Sequence, residues 1–421
     1  MAAVRGTPAV SGLATLDSIR SAFPALAREH AGFPVAYFDG PGGTQVPRSV
    51  ADAVSSYLLR HNANTHWGFP TSAETDRIVT DGRAAAADLL GGNSREIVFG
   101  QNMTTLTFQL ARALGRQFAP ETEIVVTQLD HRANVDPWLD MANMWNFTLR
   151  TVPFRPSDGT LDWDVFESVV GERTGLIAIG GASNALGTVN DVQRAARLAK
   201  RAESLLFVDA VHSAPHLPTD VAELGCDALA CSPYKFYGPH AGVLWVRGSL
   251  LESLHVSKLR PASDEAPERL ETGTLSHEAI AGTAAAIDFL AGLDDGTGDR
   301  RARIVRVMEA LHDRGDVLVQ QLWSGLSAVD GVRTFGPVPG TAERTPTVSF
   351  IVHGVSSSQV SRRLADEWGV FCSYGDFYAS DVAERLGVEE EGLVRAGCAC
   401  YTTAAEVDRL VRGIAQIAAA G

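Results

Sequence analysis

Positive charge is scarce in this 421-residue chain, in which 36 lysine and arginine residues face 50 aspartate and glutamate residues. The formal net charge of -14 disfavours a phosphate-backbone partner, and no basic cluster with interleaved aromatic residues offsets it. Long apolar runs are also absent, since no uncharged stretch reaches the roughly 18 residues of a membrane helix. Residues 1–20 contain no continuous apolar segment of the signal-peptide type. We therefore expect a soluble, cytoplasmic protein that binds neither nucleic acid nor membrane.

Cysteine is also rare, and the five cysteines are too few for a disulfide framework in a chain of this length. Cys398 and Cys400 would share one face of a strand with apolar neighbours, which favours a buried wall over a metal or redox pair. His212 and His216 have an i, i+4 spacing, but Pro215 between them disfavours the helix that a metal site of this type needs. We expect no metal site.

The length of the chain exceeds what one hydrophobic core holds, so we predict two domains. Over residues 96–246, short apolar runs alternate with helical patterns, which predicts an α/β fold with a mostly parallel, doubly wound sheet. Acidic and glycine residues interrupt this pattern at residues 292–301, and a smaller α+β domain is predicted beyond them. The predicted division is an N-terminal segment at 1–36, a large domain at 37–291 and a small domain at 292–421.

Two residues, one at the end of an apolar run and one in a turn-rich segment, indicate a Schiff-base enzyme. Asp209 lies at the end of the run LLFVDA, and Lys235 lies in the turn-rich segment SPYKFYGPH. A lysine amine forms an imine with an aldehyde cofactor, and a carboxylate against a pyridine nitrogen keeps that ring protonated. A buried acid at a strand end needs a cationic partner, which a pyridinium ring or a structural arginine would provide. The pair indicates pyridoxal 5'-phosphate (PLP), although a lone lysine is usually a solvated surface residue.

Other polar residues follow further apolar runs, at the edge of a parallel sheet where ligands gather. Thr104 and Thr105 begin an amphipathic helix, which suits a cofactor phosphate, although threonine is also a common helix cap. His131 follows the run EIVVTQ and would lie on a cofactor ring or relay protons, unless it is an ordinary loop histidine. Asn184 follows LIAIG, where an amide would donate to a phenolic oxygen, unless it is a turn asparagine.

The order of these motifs resembles the class V aminotransferase group of fold-type I PLP enzymes, and within it the cysteine desulfurase-like proteins. SNALGT, VDAVH, SPYKFYGP, ETGT and VRAGCACYTTAAEVDRL carry the resemblance, which runs from about Tyr37 to the C-terminus. It implies a large PLP-binding domain on a mostly parallel sheet and a smaller C-terminal α+β domain. It also implies PLP as the cofactor and an amino acid, as a small-molecule partner, as the substrate.

The resemblance implies a role for each candidate residue. Lys235 would form the Schiff base, Asp209 would pair with the pyridine nitrogen, and His131 would stack on the ring. Asn184 and His212 would approach the phenolic oxygen of the cofactor. Thr104, Thr105 and Ser232 would surround its phosphate. Thr274 would reach the phosphate from a partner subunit, which implies a homodimer with the active site at the subunit interface. Arg395 would clamp the substrate carboxylate, because its planar fork suits bidentate pairing.

The chain differs from the desulfurase pattern at the residues that, in that pattern, take up sulfur from the substrate. Tyr378, in the loop FCSYGDFYASDV, stands where the resemblance places a persulfide-forming cysteine, and a phenol cannot hold a persulfide. Cys372 lies earlier in this loop, and packing accounts for it. Trp67 follows His66 where the family often has arginine. We therefore expect His66, Trp67 and Tyr378 to contact a substrate side chain that is larger or less anionic than that of cysteine.

We predict a PLP-dependent lyase or transferase that acts on an α-amino acid through an external aldimine, with Lys235, His131, Asp209 and Tyr378 as catalytic residues. Its reaction would be elimination, epimerisation or carbon–carbon bond formation. A true cysteine desulfurase or a C–S lyase is the alternative. A PLP-binding scaffold without turnover is less favoured. A nucleotide-binding α/β protein is also less favoured, because GPGGTQ lacks the third glycine of GxGxxG and no GxxxxGK[ST] occurs.

Overall fold

A computed structural model describes residues 13–420, so residues 1–12 of the predicted N-terminal segment lie outside the described part of the chain. The larger of its two main sheets has seven strands. They are β1 (Ile97–Gly100), β2 (Glu123–Thr127), β3 (Thr148–Val152), β4 (Thr174–Gly180), β5 (Leu205–Asp209), β6 (Ala228–Cys231) and β7 (Gly242–Val246). Their order across the sheet is β1-β7-β6-β5-β4-β2-β3.

The larger sheet is mostly parallel, as the sequence predicted. Every pair from β6 to β3 is parallel, whereas β7 runs antiparallel to both of its neighbours. Alternate side chains of each strand enter two different hydrophobic clusters. In β5, for example, Leu206 and Val208 enter one cluster and Phe207 enters the other. Both faces of the sheet are therefore buried under helices, which explains the near-continuous apolar runs in the sequence.

In the part of the chain that the structure describes, ten α-helices precede or cover this sheet. They are Leu16–Ser21, Arg48–Ser56, Pro70–Leu90, Met103–Gly115, Asp136–Trp145, Trp163–Val169, Val192–Arg201, Val221–Leu224, Gly248–Ser253 and His277–Ala291. Within residues 13–420, none of the helices has the length and the apolar character that a membrane span requires.

A second, antiparallel sheet forms in the C-terminal part of the chain. Its strands are β8 (Val332–Phe335), β9 (Thr347–Val352), β10 (Ser373–Gly375) and β11 (Leu393–Gly397), in the order β8-β9-β11-β10. The helices around it are Arg300–Ser327, Ser357–Trp368, Ser380–Leu386 and Ala404–Ala419. The domain boundaries at residues 37 and 292 stay predictions.

The segment just before the larger sheet is joined to this second unit. The strand Ala36–Tyr37 pairs in parallel with Val370–Phe371. The Phe38 N–H donates to the Phe371 carbonyl (2.8 Å), and the Gly397 N–H donates to the Phe38 carbonyl (2.8 Å). The loop that follows Phe38 is thereby attached to the C-terminal sheet.

Side chains close the open edge of β1. An edge strand leaves N–H and C=O groups without strand partners. Arg83 donates to the Ile97 carbonyl (2.6 Å), and Glu271 accepts from the Phe99 N–H (2.9 Å). The Arg83 guanidinium and the Glu271 carboxylate are joined by two hydrogen bonds of 2.8 and 2.7 Å. This largely buried pair ends the sheet next to the turn that begins the Met103–Gly115 helix.

We expect Glu271→Ala to lower the free energy of unfolding by about 3 kcal/mol, because the only carboxylate then left beside the largely buried Arg83 guanidinium is that of the half-exposed Glu268, at 3.5 Å. The double variant Arg83→Met/Glu271→Leu should cost less than Glu271→Ala, since no unpaired charge remains. Urea denaturation followed by circular dichroism measures both. Glu391→Ala, on an exposed turn, is the control and should stay within about 0.5 kcal/mol of the wild type. A cost below about 1 kcal/mol for Glu271→Ala would contradict this account of the edge.

Candidate active site

A cavity of about 640 Å³ lies at the C-terminal edge of the larger sheet. The carboxyl ends of parallel strands meet at one edge, so the segments that follow β1, β2, β4, β5 and β6 all reach it. Segment 374–378 and Arg395 on β11 line the cavity from the second sheet. Nine of the residues predicted from the sequence line it, namely Thr104, His131, Asn184, Asp209, His212, Ser232, Lys235, Tyr378 and Arg395.

Four predicted residues do not line the cavity in this single chain. The Thr105 N–H and hydroxyl both donate to Asn102 Oδ1 (2.8 and 2.9 Å), so this threonine belongs to the helix cap. Thr274 is exposed. His66 and Trp67 are also exposed, and His66 Nδ1 lies 3.2 Å from an Asp76 carboxylate oxygen. The roles expected of these four residues stay predictions.

Lys235 follows β6 and reaches into the cavity, where its amine donates to the Pro41 carbonyl. The amine also lies 4.8 Å from the centroid of the Tyr234 ring. Burial, and then the nearby Arg395 guanidinium, lower the pKa of Lys235 to about 7, against the smaller opposite effect of the Asp209 and Asp39 carboxylates. A large fraction of the amine is therefore neutral near pH 7, which is the form that attacks an aldehyde or accepts a proton.

Two buried carboxylates lie side by side behind Lys235. Asp209, at the end of β5, accepts a hydrogen bond from the Val211 N–H (2.9 Å), and burial raises its pKa to about 6. Asp130 accepts from the Gly180 N–H (2.7 Å) and the Asn134 amide (3.2 Å). Burial, and then the Asp209 carboxylate, raise the pKa of Asp130 well above its usual range. Neighbouring carboxylates resist sharing two negative charges, so a protonated Asp130 leaves the charge on Asp209.

The two histidines of the cavity are neutral at pH 7. His131 follows β2, and its Nδ1 accepts from the Ala133 N–H (2.9 Å), so the ring proton lies on Nε2. Burial is the main cause that lowers the pKa of His131 to about 4. His212 Nε2 lies 3.0 Å from the Thr345 hydroxyl and 3.3 Å from the Thr347 hydroxyl. Burial lowers the pKa of His212 well below its usual range.

Arg395 is a buried cation whose hydrogen bonds go to neutral groups. Its Nη1 donates to the Asn184 carbonyl (2.9 Å) and its Nη2 to the Ser373 hydroxyl (3.3 Å). The guanidinium carbon lies 4.0 Å from the centroid of the Phe377 ring. Burial lowers the pKa of Arg395 to about 9, so the group stays mainly charged at pH 7. A desolvated guanidinium with neutral acceptors can bind an anion through a charge-assisted pair.

The loop that carries Tyr378 has a costly backbone conformation. Phe377 and Tyr378 have φ values of 59° and 55°, in the left-handed region that costs a non-glycine residue roughly 1–3 kcal/mol. Three hydrogen bonds hold the loop there. Asn184 donates to the Phe377 carbonyl (2.9 Å), the Arg132 N–H donates to the Tyr378 carbonyl (2.7 Å), and the Tyr378 N–H donates to Asp376 (3.0 Å). The Tyr378 ring is 72% exposed and lies 5.4 Å from the His131 ring, measured between centroids.

Several residues in or beside the site are not among those predicted from the sequence. Asp39 directly ends the run VAYF, and Asp130 directly precedes His131 in LDHRAN, so both positions carried a signal that could have identified them. Phe108, Tyr374 and Phe377 line the cavity without a comparable motif.

The polar groups of the cavity fit PLP. Lys235 offers an amine to the aldehyde, and Asp209 offers a carboxylate to the ring nitrogen. The Met103–Gly115 helix, with Thr104 in its first turn, offers N–H groups that helix bonds leave free for a phosphate. Three buried polar atoms in or next to the site have no hydrogen-bond partner among the described residues. They are Asp39 Oδ1, Asn184 Oδ1 and Arg395 Nε. Such atoms normally bind a ligand or water.

Comparisons with known proteins agree with this site. The family model "Aminotransferase class-V" matches residues 36–410. A probable cysteine desulfurase of Streptomyces coelicolor is 32% identical over 430 residues, covering 96% of this chain and 98% of the relative. An aminotransferase-like protein of Gibberella zeae is 31% identical, covering 94% of this chain and 97% of the relative.

A solved structure leads to the same family. The apo structure of a cysteine desulfurase from Thermococcus onnurineus superposes with a TM-score of 0.86 at 26% identity, covering 96% of this chain and 98% of that chain. The fold class, the family resemblance and the PLP cofactor predicted from the sequence are thereby confirmed. The chain belongs to the class-V aminotransferase family, as a cysteine desulfurase-like member of a group whose enzymes use PLP.

Proposed function

We propose that the protein is a PLP-dependent C–S lyase that acts on a cysteine-type amino acid and releases the sulfur as a thiol. Relatives named cysteine desulfurases favour chemistry at a C–S bond, which the sequence analysis gave as the alternative, over epimerisation or carbon–carbon bond formation. The absence of a thiol from the cavity is the observation that carries the proposal. All five cysteines lie in the described part of the chain, each is buried, and none lines the cavity.

The buried cysteines are also poor nucleophiles. Burial raises the pKa of Cys372, and it raises the pKa of Cys398 and Cys400 to about 12. These groups are thiols near neutral pH, whereas a persulfide forms on a thiolate. Tyr378, which the family resemblance aligns with the persulfide-forming cysteine, lines the cavity. A cysteine desulfurase that passes sulfur to an external thiol is the second candidate, and the names of the relatives favour it.

Each step needs a group that the chain supplies. When bound, PLP supplies an aldehyde for the amino group and a ring that accepts the electron pair released at Cα. Asp209 holds a negative charge for the ring nitrogen. Arg395 binds the substrate carboxylate and so fixes the direction of the Cα–H bond. Lys235, with its lowered pKa, accepts the Cα proton as a neutral amine. His131, as a neutral ring at the wall of the cavity, excludes water from one face.

Further residues have roles that the family resemblance implies and the cavity accommodates. Thr104 and Ser232 are proposed to bind the phosphate with the helix N-terminus, and Asn184 and His212 to face the phenolic oxygen. The proton leaves Cα, and the substituent leaves Cβ with the electron pair of the C–S bond. With one water, the substrate then yields one thiol, one pyruvate and one ammonium ion, and no external oxidant or reductant is required.

We expect the purified protein to release thiol and pyruvate in equal amounts from an S-substituted L-cysteine, as measured by thiol titration and a lactate dehydrogenase assay. Lys235→Ala should lower kcat by about 10²–10⁴-fold, since it removes the proton acceptor. Lys200→Ala, on the exposed side of the Val192–Arg201 helix, is the matched control and should keep the wild-type rate.

The fate of sulfur from L-cysteine separates the two candidate functions. The wild-type protein should carry no persulfide after turnover, as measured by alkylation and mass spectrometry. Tyr378→Cys should acquire one and release alanine, because its thiol would attack the substrate sulfur while the electron pair of the C–S bond returns to Cβ, which then takes up a proton. Alanine in place of pyruvate, together with a persulfide on an added thiol or on the wild-type chain, would contradict the C–S lyase and support the desulfurase.

The rate at which the PLP-free protein binds PLP covalently should rise with pH through a midpoint near 7, since only the neutral Lys235 amine reacts. Arg395→Gln should move the midpoint upward, because it removes a cation that lowers the pKa of the amine. Asp209→Asn should move it downward, because it removes a carboxylate that raises this pKa. Arg363→Gln, at an arginine that pairs with Glu367 on the surface and does not line the cavity, is the control. Stopped-flow absorbance measures the rate, and a wild-type midpoint near the ordinary 10.5 would contradict the prediction.

We also propose that the active form is a homodimer. Segment 57–69 exposes Leu58, Leu59, Trp67 and Phe69, and Leu59 is 79% exposed. An exposed patch of large apolar side chains is typical of a protein interface. The same segment contacts the region of Thr274, since the Tyr57 hydroxyl lies 3.1 Å from His277 Nδ1. A second copy placed here would bring Thr274, His66 and Trp67 towards the cavity of its partner.

Leu59→Glu should convert the dimer to a monomer, because it places a charge in the apolar patch, and sedimentation equilibrium measures the change. The variant should also release PLP more readily if Thr274 contributes to the phosphate site of the partner. Met144→Glu, at an exposed apolar residue outside the patch, is the control and should stay dimeric. A wild-type protein that is monomeric at micromolar concentration would contradict the proposal.

A further inference from the structure

The cavity has aromatic rings that the proposed chemistry does not use. Phe108, Tyr374 and Tyr378 line it, and two of them are exposed, Tyr374 at 53% and Tyr378 at 72%. Phe377 differs, because the Arg395 guanidinium covers its ring. Large aromatic side chains gain most of their stabilisation from burial. The two exposed tyrosines therefore offer apolar surface at the opening of the cavity.

Tyr378 is held in this position by its backbone. Phe377 and Tyr378 adopt consecutive left-handed conformations, and hydrogen bonds from Asn184 and Arg132 fix their carbonyl groups. Because the Tyr378 ring is exposed, burial of the ring does not offset the energetic cost of its left-handed backbone. Strained residues of this kind cluster where a ligand is bound. The loop thus presents the Tyr378 ring to whatever enters the cavity.

The charges at the opening disfavour an anionic side chain. Arg132 lines the cavity, but its guanidinium is paired with the carboxylates of Asp136 and Asp381. Asp136 and Asp376 also line the cavity. Lys235 and Arg395 are assigned to the Cα proton and the carboxylate of the substrate. Among the residues that line the described cavity, an anionic substituent would therefore meet carboxylates and no uncommitted cation.

The two exposed tyrosines leave room for a large substituent at the opening of the cavity. The volume of about 640 Å³ would hold PLP and the amino acid, and a large substituent would extend along the exposed rings towards solvent. We propose that the substrate is an S-substituted L-cysteine whose substituent is an uncharged aromatic or large apolar group, bound against Tyr374, Tyr378 and Phe108. This inference rests on the proposed C–S lyase function and names the substrate class of the same site.

The test compares three probes on the holoenzyme: S-benzyl-L-cysteine, S-methyl-L-cysteine and the anionic S-sulfo-L-cysteine. The change in the visible absorption of the cofactor during titration gives a dissociation constant for each probe, and pyruvate release gives kcat and KM. We expect S-benzyl-L-cysteine to bind at least about tenfold more tightly than either of the other two probes, as an apolar contact of this size provides. The difference should lie in KM more than in kcat.

Variants then show whether the tyrosines cause the preference. Tyr378→Ala should bring the dissociation constants of S-benzyl- and S-methyl-L-cysteine close together, and Tyr374→Ala should reduce their ratio as well. Tyr378→Phe keeps the ring and should keep the preference, which excludes general damage to the loop. Met144→Ala, at an exposed apolar residue outside the cavity, is the matched control and should keep the wild-type ratio.

The outcomes separate this inference from the function on which it rests. Equal affinities, or tighter binding of S-methyl- or S-sulfo-L-cysteine, would overturn the substrate class and leave the lyase function standing if pyruvate is released. A preference that Tyr378→Ala and Tyr374→Ala both leave unchanged would overturn the role of the rings. If no probe changes the absorption or releases pyruvate, the proposed function fails, and the inference fails with it.

Discussion

The partial burial of the Lys235 amine is the constraint on which the site depends. Water would stabilise the charged form of this amine, and its removal lowers the pKa to about 7. Three separate parts of the chain meet at the amine. The turn after β6 supplies the lysine, the loop after Phe38 supplies the Pro41 carbonyl, and β11 supplies Arg395. The site therefore requires both sheets, although the lysine belongs to only one of them.

Nearby charges also affect the pKa of Lys235, and they do so in opposite directions. Arg395 lowers the pKa of Lys235, and Asp209 raises it, so the lysine responds to the two residues that we assign to the substrate and to the ring. Asp130 acts on the second of these residues, because its carboxyl group interacts with the Asp209 carboxylate. A single negative charge shared by two adjacent buried acids is best placed on Asp209, because its neighbour is the more strongly favoured proton carrier. Backbone N–H groups and the Asn134 amide hold both acids in place.

The sequence predicted the parts of the site that regular structure positions. Lys235, Asp209 and His131 lie at or just beyond the ends of buried strands, and a parallel sheet brings its carboxyl ends together at one edge. The sequence did not predict contacts between side chains on segments that are far apart in the chain and pack together only in the fold. Phe377 lies under Arg395 only because the loop after β10 adopts two left-handed residues, and aromatic residues give no sign of that conformation in advance.

The burial of individual acids could not be read from the sequence either. Asp39 and Asp130 stand beside recognised motifs, yet most aspartates are solvated, so only the structure distinguishes these two from the rest. The expected contacts of Thr274, His66 and Trp67 depend on a second chain, which the folding pattern of one chain does not specify.

The pairing of Ala36–Tyr37 with Val370–Phe371 places the loop that carries Pro41 between the two sheets. One end of this loop is bonded to the C-terminal sheet, because the Gly397 N–H donates to the Phe38 carbonyl (2.8 Å). The other end is bonded to the turn of the lysine, because the Thr44 N–H donates to the Tyr234 carbonyl (3.0 Å). The acceptor of the Lys235 amine is therefore held from both sides, and the basicity of the lysine depends on the contact between the two sheets as well as on its own turn.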